Sequence, residues 1–189
     1  KDTIVSFLLN IHLQEYMKKE KTGMFLNNWG RTLAKYGSAV VKFVQKGGDL
    51  HMNVIPWNRL IIDSVDFYNN PVIERLFYTP SQLRNNKSFD QEKVKMLLDA
   101  LTTRKTMDNQ QMDTNSEYIE LYEVHGEFPL SYLTGKEKDE TEYVQQMHVI
   151  SYVGDGKGKF DDFTLVSGRE KKNPYMITHL IEEDGRVMG

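Results

Sequence analysis

Apolar positions follow a helical period at the front of the chain and a strand-like period behind it. Ile4, Leu8 and Ile11 fall on one stripe that Val5 and Leu9 widen, so the spacing predicts an amphipathic helix over residues 3–20. Its tail from Glu15 onward is polar, and Gly23 reads as its end. Phe25, Trp29, Leu33 and Tyr36 make a second face at helical spacing over residues 25–36, with Gly37 as the stop.

The period then changes. Residues 39–44 are β-branched and apolar, Lys46-Gly47-Gly48-Asp49 reads as a turn, and residues 50–55 form a second apolar run, together a β-hairpin. Pro56 ends that run, and residues 59–65 read as a third strand. Asn69-Asn70-Pro71 is another turn, and residues 72–78 fit either a strand or a helix. Thr79 suits an N-cap and Pro80 the first helical position, which opens a short helical turn. Ser88 with Gln91 three residues later resembles a capping box ahead of Val94, Leu97, Leu98 and Leu101. From residue 102 to 117 no periodicity survives, which predicts a linker or loop.

The last third is β-rich, with strands expected over residues 118–124, 143–153, 163–166 and 175–181. A charged loop from Gly135 and a glycine-rich one from Gly154 separate them. Helices in front and an antiparallel meander behind, with one helix between, make the expected class α+β. The linear division is a front part over residues 1–101, the linker 102–117, and a β-rich part over 118–189.

Composition narrows the class. The 189 residues are 39% hydrophobic and 27% charged, close to an ordinary globular domain. A formal charge of −3 gives no basic excess for gripping duplex DNA, though DNA could pass such a surface without being held. The absence of cysteine removes disulfides, thiolate metal ligands and cysteine nucleophiles. No apolar run approaches the roughly 18 residues of a membrane span, and the charge order near residues 17–21 is wrong for a signal peptide. The expectation is a soluble intracellular protein, and the start at Lys1 and stop at Gly189 suggest an excerpt of a longer subunit.

Candidate chemistry fails on spacing. Gly154-Asp155-Gly156-Lys157-Gly158 lacks the Gly-Lys-Ser/Thr ending and the following helix of a phosphate loop, so a hairpin turn accounts for it better. Counted from Asp155, an EF-hand would need oxygen ligands where Lys157, Lys159 and Val166 stand, and Asp161 and Asp162 do not repair it. His12, His51, His125, His148 and His179 have no ligand-like spacing, and Ser38 and Ser167 lack a nucleophile-elbow context. The aromatics lie within periodic apolar faces and are not interleaved with Lys and Arg, which favours packing over base stacking. No catalytic, cofactor-binding or metal-ligating residue is assigned.

An ordered series of phrases carries a resemblance. Trp29-Gly30-Arg31-Thr32-Leu33-Ala34-Lys35-Tyr36-Gly37-Ser38-Ala39 is followed by Val54-Ile55-Pro56 leading to Asp63, then Pro71 through Thr79-Pro80-Ser81-Gln82-Leu83. Tyr118 to Pro129 bears Glu123-Val124-His125-Gly126, and Asn173-Pro174-Tyr175 leads to Gly185-Arg186 and Gly189. In this order they resemble bacteriophage portal proteins, over most of the chain. The resemblance implies a structural, non-enzymatic subunit of a ring, typically dodecameric, at one capsid vertex of the virion, assembled in the host cytoplasm. Terminase drives DNA through such a ring without sequence-specific binding, and capsid, neck and tail proteins attach to the full-length subunit. The excerpt would belong mainly to the wing-like body, and the family pattern has no catalytic residues to carry over. A small-molecule or peptide-binding module remains an alternative, as does a phosphate- or nucleotide-handling enzyme built on the Gly154–Gly158 loop.

Overall fold

A computed structural model describes residues 2–63, 65–107, 118–154, 159–183 and 186–188. In chain order the helices are α1 (Asp2–Lys19), α2 (Thr22–Tyr36), α3 (Pro80–Asn85), α4 (Gln91–Met107) and α5 (Ser131–Thr134). The strands are β1 (Ser38–Lys46), β2 (Asp49–Ile55), β3 (Leu60–Ile61), β4 (Val72–Tyr78), β5 (Ile119–Pro129), β6 (Tyr143–Gly154), β7 (Phe160–Arg169), β8 (Tyr175–His179), β9 (Ile181–Glu183) and β10 (Arg186–Met188). Single 3-10 turns lie at Trp57–Arg59 and Glu137–Asp139. The fold is α+β with antiparallel sheets.

Two units share the chain: residues 1–58 with 174–189, and residues 59–173. They cut the chain elsewhere than the linear division at residues 102–117. β8 returns from the far end to pair with β1, while β4, α3 and α4 pack with the later strands. Sequence distance says little about which strands find each other, because pairing is decided by the tertiary sheet.

In the first unit, the break between α1 and α2 falls on Lys21, which takes the left-handed conformation at φ 51°. Gly23, expected as the stop, lies inside α2. Gly37 does end α2, at φ 72°, with its N–H donated to the Leu33 carbonyl. Gly47 and Gly48, at φ 62° and 92°, supply the two positive-φ residues that a tight hairpin turn between β1 and β2 requires. β1 is the central strand of the order β2-β1-β8, and Ala39, Val40 and Val41 are buried in succession.

The second unit is a five-stranded meander in the order β3-β4-β5-β6-β7. Residues 72–78, ambiguous by pattern, form β4, and of the run 59–65 only Leu60 and Ile61 pair as a strand. Thr79 caps α3 through a reciprocal box with Gln82. The cap of α4 is not Ser88: the Asp90 carboxylate accepts from the amides of Glu92 (3.0 Å) and Lys93 (3.3 Å). The helix also continues through residues 102–107, where no periodicity was legible, and residues 108–117 of the expected linker lie outside the described residues.

One face of this sheet is packed by α3 and α4. Leu83, Phe89, Val94 and Leu97 meet Ile119 and Leu121 of β5, Val149 and Val153 of β6, and Leu165 of β7. Leu165 reaches that core through a bulge: Val149 faces Val166 and Ile150 faces Thr164, leaving Leu165 as the extra residue. Among the described residues no helix is long and apolar enough to cross a membrane.

Candidate functional site

The face of the second-unit sheet away from α4 carries the residues alternating with the core. By register, Arg75 of β4, Tyr122 of β5, Ile150 of β6 and Thr164 of β7 form one row. Phe77, Tyr152 and Phe160 are 42%, 48% and 62% exposed, so this face keeps an aromatic surface in solvent. Tyr122 and Tyr152 stack with ring centroids 5.2 Å apart and hydroxyls 2.9 Å apart. Burial, then the bonds to Tyr152 and Glu120, push the Tyr122 phenol up, so it stays neutral. Arg75 pairs with Glu120, whose carboxyl is held low chiefly by that hydrogen bond. The Arg59 and Arg75 guanidiniums lie 5.9 and 5.7 Å from the Phe77 ring centre.

Toward the β7 edge the same face hollows into a cavity of about 400 Å³, walled by Val124, Phe128, Tyr132, His148, Ile150 and Thr164, with Ser167 and, from the first turn of α4 beside β7, Lys93 also lining it. Phe128 and Tyr132 meet His148 edge-on at 5.7 and 6.4 Å. His148 is held at both nitrogens, by Gln146 Oε1 at 2.9 Å and Ser167 Oγ at 3.1 Å. Gln146, fully buried, donates to the Phe128 and Pro129 carbonyls at 2.8 and 2.9 Å. Burial lowers the His148 pKa, as does the charge of His125, so the ring is neutral near pH 7. The series Ser167, His148, Gln146 has the connectivity of a nucleophile, base and orienting group. Ser167 nevertheless lies inside β7 at the sheet edge, with no strand-to-helix turn beneath it to supply oxyanion amides. The arrangement positions side chains and walls a cavity.

A second constellation lies on the core face, and sequence reading missed it. His125 of β5 is 2% exposed, with Glu170 Oε2 2.6 Å from Nδ1 and Glu123 Oε1 2.8 Å from Nε2. Glu74 of β4 faces Glu123 across the ladder and is itself buried. A neutral imidazole has one N–H to donate, so two carboxylates on two nitrogens call for the imidazolium. Burial lowers the His125 pKa, but the bonds to Glu123 and Glu170 outweigh it and leave the pKa raised. The signal available was Glu123-x-His125 on one strand face; nothing local pointed to Glu170.

The other expected features disperse. His12 is exposed on α1, and His51 meets Glu20 at 2.6 Å. His179 ends β8 and Ser38 begins β1. Gly154 and Phe160 face each other across the β6–β7 hairpin, residues 155–158 lie outside the described residues, and Asp161 and Asp162 are exposed strand positions. Among the described residues no three of His, Asp or Glu converge to hold a metal ion.

In the first unit, α1 presents a surface of another kind. Ile4, Val5, Phe7, Leu8, Leu9, Ile11, Leu13 and Met17 are each at least 40% exposed, and they surround the helix. The stripe read as the apolar side of an amphipathic helix is thus in solvent with the rest. The helix is joined to β2 by polar contacts: Tyr16 donates to the Leu50 carbonyl and Lys19 pairs with Asp49 at 2.5 Å. No protein-family model matches the chain, and no curated protein is significantly similar to it in sequence.

Proposed function

We propose that this chain is part of a bacteriophage portal subunit, a structural component of a ring at the capsid vertex and not an enzyme. The observation that carries the proposal is α1, whose large apolar side chains are exposed around its whole circumference. A helix apolar all round is stable in water only when other protein covers it. An assembly subunit has such cover from its neighbours or from the remainder of its own chain. The aromatic outer face of the second sheet adds a second uncovered surface. The ordered portal-like phrases supply the identity of the assembly, which exposure alone does not.

On this reading the partners are further copies in a ring, a dodecamer by resemblance, with terminase, capsid and neck or tail proteins bound through the full-length subunit. DNA passes through without sequence-specific contact, in keeping with the net charge of −3. Negative-stain electron microscopy with mass photometry on the full-length parent tests this. A ring with a central channel is expected, and a compact monomer or dimer would refute it.

One observation favours a second reading. The cavity walled by Phe128, Tyr132 and His148 has the size and the mixture of apolar walls and oriented polar groups of a ligand site. A small-molecule or peptide-binding module would use it, and a fragment screen read by chemical shifts of Val124 and Ile150 methyls would reveal that use.

A further inference from the structure

His125 links three elements. Its strand partner over β6 is Met147, and beyond that Gly168 of β7, so the bond from His125 to Glu170 spans β6 without touching the backbone ladder. Glu170 follows the last residue of β7 and donates its own N–H to the Gln145 carbonyl at 2.9 Å. Four residues further on, at Pro174, the chain leaves the second unit. The side-chain bond therefore fastens the point at which the sheet releases its last strand.

We propose that His125, as an imidazolium held between Glu123 and Glu170, is a proton-dependent fastener for the end of β7 and the exit segment at residues 170–173. While the ring carries both protons, both nitrogens donate and both carboxylates are satisfied. Loss of the ring proton leaves one carboxylate oxygen facing a lone pair of a buried ring at under 3 Å. The backbone of Glu123 is fixed, because β5 is paired on both sides, with β4 and with β6. Glu170, past the end of an edge strand and 21% exposed at its side chain, is the group free to leave.

The surrounding charges set the direction of the response. Glu123 lies on the same strand, Glu74 enters from β4 opposite it, and Glu170 arrives from beyond β7. His148, from β6 on the other sheet face, is a further titratable neighbour, pushed toward neutrality by burial and then by the His125 charge. Arg169 turns toward Glu142, 3.9 Å away, and Lys171 and Lys172 follow Glu170 along the exit segment. The carboxylates of Glu123 and Glu170 hold the proton on His125, so the fastener opens at higher pH than an ordinary imidazole would lose its proton.

The test is hydrogen exchange at the amides of Glu170 and its neighbours from pH 6 to 10, corrected for intrinsic rates, beside nitrogen-detected NMR titration of the five imidazoles. Expected is a doubly protonated His125 persisting to higher pH than a doubly protonated His148. Protection of the Glu170 amide should fall in step with His125, tenfold for each unit by which its pKa is raised. In His125→Gln the protection should be independent of pH, and Glu170→Gln should lower the His125 titration if the first variant does not fold. A His125 that loses its proton no later than His148 would overturn the proposal, as would Glu170 protection that ignores the His125 titration.

Discussion

Replacing Phe7, Leu8 and Ile11 together with glutamine separates a helix that is merely exposed from one that other protein covers. Glutamine is close to leucine in helix propensity, and the three side chains are 64%, 58% and 40% exposed. The stability of the isolated chain should therefore change by no more than about 0.5 kcal/mol at each site. In an assembly the exposed part of each side chain would be buried. Full burial of such a residue contributes roughly 1.5–3 kcal/mol, so the exposed fractions of the three together correspond to about 2.5–5 kcal/mol per subunit. That weakens association by roughly two to four powers of ten. The assay is mass photometry of the full-length protein over a dilution series, with thermal unfolding in parallel. A large loss of oligomer at unchanged unfolding temperature is expected. Oligomers that resist dilution as the parent does would refute the reasoning that α1 is covered by assembly.

Other outcomes follow from the second unit. Leu97→Ala removes a fully buried side chain from the middle of the core and should cost about 2–5 kcal/mol by chemical denaturation. Gln146→Leu leaves the Phe128 and Pro129 carbonyls and His148 without their partner; roughly 1–3 kcal/mol should be lost, with a changed His148 titration by NMR. Gly126→Ala sets a Cβ 3.0 Å from Pro71 and should destabilise by about 1–3 kcal/mol through overpacking, read in the same denaturant curves. The stabilisation His125 provides should be complete below its unfolded pKa of about 6.5 and be lost as pH rises through the raised folded value. The unfolding midpoints of the parent and His125→Gln should accordingly differ most near pH 6 and converge in alkali.

Elements with strong local signals were legible in the sequence. The second helix and its Gly37 stop, the Gly47-Gly48 hairpin, the Thr79-Pro80 helix start and the apolar face of α4 all occur where pattern and turn chemistry point. Local reading failed where a neighbour decided the outcome. Gly23 stayed helical because the chain broke two residues earlier at Lys21. Asp90 took the cap expected of Ser88, and α4 ran on through polar residues because its buried face had already begun at Val94 and Leu97. The residues now walling a cavity, Phe128, Tyr132 and His148, were legible only as ordinary strand and loop residues, since an aromatic on a sheet looks the same whether its face is covered or open.

What the sequence determined by itself is the class of structure: periods of 3.6 and 2 residues set helices and strands, and glycine and proline set where they turn, because those preferences are local. Which strands became neighbours was decided only in three dimensions. β8 joined β1 across more than a hundred residues, and Glu170 reached His125 from 45 residues away. Burial is likewise a tertiary property. The same apolar spacing that packs Val94 and Leu97 into a core leaves Ile4 and Leu8 in solvent, because the first pair meets a sheet and the second meets water.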